Sequence, residues 1–226
     1  MEGSSEAHSA IADELRGGLD RLFSDRDRPG AVRLVLDAVT SGRIDIPTLY
    51  TEVLGPLMTD TGSGWQTGSI RVWEEHFVSA IVRTIIESLY PHVIEAAESV
   101  TPADRRVLLA CPPREQHDLG LRMLADRFTL GGWTAHYLGT DTPTQEICLA
   151  ANALGVELIV LSASTHFNRV LLNKVVDEVS CGAPEVRVMV GGPAFALDRQ
   201  WPADQLLDPD KLGLPPYGRD RRCCRT

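Results

Sequence analysis

In the stretch CPPREQHDLG, His117 stands two residues after the carboxylate Glu115 and three before Gly120. An imidazole is a metal ligand or a proton carrier near neutral pH. A carboxylate two residues away can accept the second ring N–H, which fixes the tautomer and raises the basicity of the other nitrogen. Further along, Ser162 and Ser164, with Thr165 beside them, end one apolar run, and Gly191, Gly192 and Pro193 end another. Hydroxyls and side-chain-free backbone at such ends suit a slot in which a ligand approaches the chain closely. Nearer the start, WQTGSIRVWEEH holds Trp65, Val72, Glu75 and His76. There an indole can cover a flat group and a carboxylate can accept from hydroxyls. Taken singly, each has a plainer reading: a solvated loop histidine, strand-end serines, a Gly-Gly-Pro turn, a packed tryptophan and a polar helix face.

Composition narrows the choices. The 226 residues suit one large domain or two small ones, with 43% hydrophobic and 23% charged residues as in ordinary globular chains. A formal net charge of -9 argues against nucleic-acid binding, which needs clustered Lys and Arg to displace counterions. No stretch approaches the roughly 20 apolar residues of a membrane span, and the polar opening MEGSSEAHSA lacks the layout of a secretory signal, so a cytoplasmic protein is expected. The five cysteines form no C-x-x-C pair. Cys111, Cys148 and Cys181 read as structural, and Cys223 and Cys224 as an exposed tail pair.

The elements that must position these residues fall into two halves. Up to about residue 98 apolar residues recur at three-and-four spacing, predicting a four-helix bundle over residues 1–100. In its last helix Ile70, Trp73, Phe77, Ala80, Ile81, Thr84 and Ile85 trace one stripe, while Pro47 and Pro91 suggest helix starts or kinks. Over residues 103–226 the period changes. The runs RVLLAC, WTAHYLG, VELIVLSAS and VRVMVGG alternate with helical segments, the pattern of a doubly wound, Rossmann-like or flavodoxin-like α/β domain with a parallel sheet. In such sheets ligands sit beyond the carboxyl ends of the strands, where every motif above falls. From Arg199 on there is no clear fifth strand or closing helix, and whether that segment wraps the domain stays open.

Jointly the motifs are far more specific. E-x-H-x-x-G, S-x-S and G-G, with 41 residues between Gly120 and Ser162 and 26 between Ser164 and Gly191, resemble the cobalamin-binding module of the methionine synthase and mutase type. The match runs over roughly residues 103–195. The resemblance implies cobalamin as cofactor and His117 as the lower axial ligand of its cobalt. Glu115, Gln116, Asp118, Gly120, Ser162, Ser164, Thr165, Gly191, Gly192 and Pro193 would surround it. Cobalt in a corrin has its equatorial positions filled, so an axial ligand is what a protein can add. This chain departs from the D-x-H-x-x-G and S-x-L forms in having Glu115 for Asp and Ser164 for Leu.

Trp65 and Glu75, with nine residues between them and His76 following, form a W-x9-E-H pattern similar to the adenosylcobalamin-dependent photoreceptors, the CarH-like light-sensing transcriptional regulators. The resemblance implies that the helical half covers the upper face of the corrin, with Trp65, Val72, Glu75 and His76 around an adenosyl group. It also implies a light sensor, not an enzyme, with no catalytic residues. Two differences stand out: Gln66 occupies the place of a histidine, and a chain starting at the bundle leaves no room for a winged-helix DNA-binding domain. Output is therefore expected through a protein partner or self-association, without direct nucleic-acid or membrane binding. The rival is a corrinoid carrier for methyl transfer, which shares the plan; a third reading is a cobalamin-binding antirepressor.

Overall fold

The computed structural model describes residues 2–195 and 201–214, and these divide into two units, the first ending at His92 and the second beginning at Val93. Cys223 and Cys224 lie outside the described residues.

The first unit is helical. Helices α1 (Glu2–Ser24) and α2 (Arg28–Thr40) pack against each other. They bury Ala12, Leu15 and Leu19 from one and Ala31, Val35 and Ala38 from the other, at the three-and-four spacing of a single helix face. Asp27 caps α2 by accepting from the Gly30 N–H at 2.8 Å. A continuous helical stretch follows: the single turn α3 (Ile46–Thr48), a π-helical segment over Leu49–Leu54, and α4 (Gly55–Thr67). Pro56 explains the widened turn. It has no N–H to give and its ring crowds the carbonyl a turn earlier, so the backbone opens just before it, with the Gly55 N–H reaching back to the Tyr50 carbonyl.

Helix α5 (Val72–Ala97) runs on through Pro91 and extends into the second unit. Its buried face is Ile81, Val82, Ile85, Ile86, Leu89 and Val93. This corrects the expected stripe: Ile81 and Ile85 belong to it, but Trp73 and Ala80 are exposed, and the Trp73 ring instead takes the Arg26 guanidinium at 5.6 Å. The expectation that no stretch could span a bilayer also needs amending. By length and composition α5 passes that test, alone among the described residues, although the Ile and Leu residues of its central turns are buried in the folded chain.

The second unit is a parallel sheet in the order β2 (Thr134–Gly139), β1 (Arg106–Ala110), β3 (Leu158–Ser162), β4 (Arg187–Gly191). Between the strands run α6 (Leu119–Leu130), α7 (Thr144–Leu154) and α8 (His166–Gly182). Alternate strand residues feed two cores. Leu108, Ile159, Leu161, Val188 and Val190 join the core with Ile147 of α7 and Leu172 of α8. Val107, Leu109, Val160 and Met189 join the other with Leu121 and Phe128 of α6. Burial on both faces is why these strands read as unbroken apolar runs. Because β1 continues to β2 on one side and β3 to β4 on the other, the loops leaving β1 and β3 diverge and open a crevice at their carboxyl ends.

The segment after Arg199 wraps the domain where it is described. Val190 donates to the Gln205 carbonyl and accepts from the Leu207 N–H, both at 2.8 Å, so a single parallel bridge replaces a fifth strand. Trp201 packs edge-on against Phe195 at 5.1 Å. The cysteines differ from the structural reading: Cys111 is buried, but Cys148 is half-buried and Cys181 exposed.

Candidate functional site

The loop from Cys111 to Asp118 leaves β1 and is pinned to the loop after β2. The Arg114 N–H donates to an Asp141 carboxylate oxygen at 2.7 Å, and the Asp141 N–H donates to the Glu115 carbonyl at 3.0 Å. Arg114 and Asp141 both sit at positive φ, a conformation this reciprocal pair holds in place. The loop thereby turns the Glu115 side chain inward and leaves His117 outward.

Glu115 is fully buried. One carboxylate oxygen accepts from the His117 backbone N–H at 2.8 Å and faces the His117 Nδ1 at 2.6 Å. The other accepts from the Ser164 N–H at 2.7 Å and from the Asn168 side-chain amide at 2.8 Å. Burial pushes its carboxyl up, but the hydrogen bonds from His117, Ser164 and Asn168 outweigh it and set the pKa at about 2. A charged carboxylate against Nδ1 keeps the proton on that nitrogen, so the lone pair of the ring is on Nε2. The imidazole side chain is 62% exposed. Beneath it, burial together with the nearby Glu115 and Asp118 charges pushes the Cys111 thiol up to about 12. It stays a neutral thiol, within 3.8 Å of the His117 carbonyl.

The remaining residues fall into place around this centre. Gln116 is exposed, while Asp118 is buried and accepts from the Tyr137 hydroxyl. A Cβ built on Gly120 would meet no protein atom within 4 Å, so the start of α6 faces open space there. Ser162 is buried at the end of β3, Ser164 contributes its backbone N–H, and Thr165 caps α8 by accepting from the Asn168 N–H at 3.1 Å. Gly192, at φ +104°, passes so near β3 that a Cβ would lie 2.5 Å from the Ala163 carbonyl and 2.8 Å from the Ser162 hydroxyl. Gly191 packs by Leu207, and Pro193 is exposed. Asn168 escaped the sequence reading, although S-x-S-T followed three residues later by a polar side chain marks a helix start.

These features fit a corrinoid. An exposed imidazole with its proton fixed on the buried side can donate from Nε2, and the start of α6 leaves room where a bulky ring would pass.

In the first unit, a tight turn joins the other predicted residues. Gly68, at φ +79°, ends α4, and the Ser69 and Ile70 N–H groups return to the Gly64 carbonyl. Trp65 on the last turn of α4 is 48% exposed, and Gln66 beside it is exposed. Val72 and His76 are exposed on the first turns of α5. Glu75, mostly covered, has one carboxylate oxygen on the Ser79 hydroxyl and the other on the His76 Nδ1, each at 2.5 Å. The carboxylate is thus oriented by its own helix.

A helical unit followed by a parallel sheet with a carboxylate-anchored histidine at its switch point defines a cobalamin-binding protein. The family models agree: residues 18–90 and 105–207 each match a B12 binding domain. The chain belongs to the B12-binding proteins and binds cobalamin. Within that class it is similar to the HTH-type transcriptional repressor CarH of Myxococcus xanthus, at 35% identity over 162 residues, 71% of this chain and 51% of that protein. The HTH-type transcriptional repressor CarA of the same organism is 31% identical over 130 residues, 58% of this chain and 41% of that one. The chain thus spans about half the length of the curated relatives it matches. Its fold is shared with the monomethylamine corrinoid protein of Methanosarcina barkeri, at TM-score 0.70 and 18% identity over 87% of this chain and 91% of that one.

Proposed function

We propose that this protein is an adenosylcobalamin-dependent light sensor that acts in the cytoplasm through a partner protein or self-association, without turning over a substrate. The observation that supports the cobalt assignment is the Glu115–His117 contact, which holds the proton on Nδ1, so that Nε2 of an exposed imidazole would be the donor to cobalt. Bound adenosylcobalamin supplies a cobalt–carbon bond that visible light breaks. Trp65 would stack on the adenosyl group, and Glu75, oriented by Ser79 and His76, would accept from its ribose hydroxyls. Losing those contacts on illumination is the differential free energy that a two-state helical unit requires.

The similarity to the CarH repressor supports regulation as the output class. A corrinoid carrier for methyl transfer would share the fold, but a methyl group gains nothing from a desolvated carboxylate. The absorption spectrum of the protein with adenosylcobalamin, taken before and after green light, tests the proposal. A light-dependent change with an altered partner affinity or oligomeric state is expected. A light-insensitive complex that instead exchanges methyl groups with a methyltransferase would overturn it.

A further inference from the structure

Nothing in the motifs that point to cobalamin involves Asn168, yet it is buried on the first turn of α8 with its amide on Glu115. We propose that Asn168 is a positioning residue for His117, and that the length of the Glu115 side chain is matched to it. This rests on the reading of His117 as the cobalt ligand.

The geometry explains both halves of the claim. Thr165 accepts the Asn168 N–H and so fixes its backbone, leaving the side-chain amide to reach across the switch-point crevice. With the Ser164 N–H it takes one carboxylate oxygen of Glu115, while the other oxygen is turned onto the His117 backbone N–H and Nδ1. Glu115 therefore bridges the loop after β1 to the start of α8, 53 residues later in sequence. A carboxylate one methylene shorter would draw back from α8 or from the imidazole. A buried amide without a partner would be costly, so its place there is explained by this bond. Without the amide, the far oxygen retains one donor of the pair. The carboxylate can then swing, and the imidazole loses its fixed aim.

The test uses the full chain labelled with nitrogen-15 histidine and loaded with cob(II)alamin, whose electron paramagnetic resonance is split by the axial nitrogen. In the wild type the splitting should follow the label. In Asn168→Ala the fraction of label-split signal should fall, with cobalamin affinity weakened about 10-fold, as for other partners of a ligating histidine. Asn168→Ser should fall between the two. Glu115→Asp should lower the fraction as well, and Glu115→Asp with Asn168→Gln should recover part of it. Thermal melting of the cofactor-free variants identifies any that fail to fold; if Asn168→Ala does, the serine variant and the compensating pair decide. Wild-type fraction and affinity in the folded Asn168 variants would overturn the positioning role. A wild-type signal indifferent to the label would instead overturn the His117 assignment, and this inference with it.

Discussion

Nδ1 of His117, on a largely exposed ring, stands 2.6 Å from an oxygen of Glu115, whose carboxylate is entirely covered. The covered partner has the depressed pKa, about 2 against an ordinary 4.5. Such a group stabilises the fold above its unfolded pKa, and the contribution is lost as pH falls from there toward the folded value. In the cofactor-free protein about 3 kcal/mol of stability should disappear between roughly pH 5 and pH 2 on this account. Urea unfolding across that range should show a shallower acid loss in Glu115→Gln; the same slope in both proteins would count against the assignment.

His117→Ala removes the Nε2 donor while leaving Glu115 to Ser164 and Asn168. The bound cobalamin spectrum should shift away from the imidazole-ligated form and affinity should drop at least 10-fold, the scale set by mutating even the partner of a ligating histidine. Spectrophotometric titration checks both, and unchanged values would remove His117 from the cobalt.

Two glycines should respond in opposite ways. Gly192→Ala forces a Cβ onto the Ala163 carbonyl at positive φ, and should destabilise the domain by about 1–3 kcal/mol. Gly120→Ala meets no protein atom and sits in helix α6, so it should leave stability unchanged or raise it by up to about 1 kcal/mol. It should nevertheless weaken cobalamin binding if the corrin passes over that backbone. Melting curves beside binding isotherms separate the two effects.

Glu75→Ala should narrow the preference for adenosylcobalamin over methylcobalamin, because an adenosyl group would offer ribose hydroxyls to the oriented carboxylate and a methyl group offers none. Ser79→Ala, which releases one oxygen of that carboxylate, should act in the same direction and less strongly. Calorimetric titration of both cobalamins into each variant is the measurement; an undiminished preference would sink the role given to Glu75.

After illumination, position 66 offers an amide, a weak donor to cobalt, in place of an imidazole, so water or hydroxide is the expected occupant and not a protein side chain. The spectrum recorded after green light should therefore be the same in the wild type and in His76→Ala. A spectrum with two nitrogen ligands in the wild type, lost in the variant, would make His76 the latch of the illuminated state.

Local chemistry determined much of this in the sequence itself. Apolar runs with both faces covered identify β1, β3 and β4 as parallel strands, and the motif residues lie at or just beyond their carboxyl ends. The pairing of Glu115 with His117 was legible too, as two residues apart in one loop are always neighbours. Contacts between distant segments were decided by the tertiary structure. Asn168 meets Glu115, and Gly192 grazes Ala163, because the strand order places β3 beside β1 on one side and β4 on the other. Spacing along the chain carries no record of that order. The face of α5 was misjudged from the same cause: a helical period shows that one side is apolar, but Trp73 could serve a buried stripe or an exposed cation contact equally well. The position of Arg26, in the turn between α1 and α2, settled which.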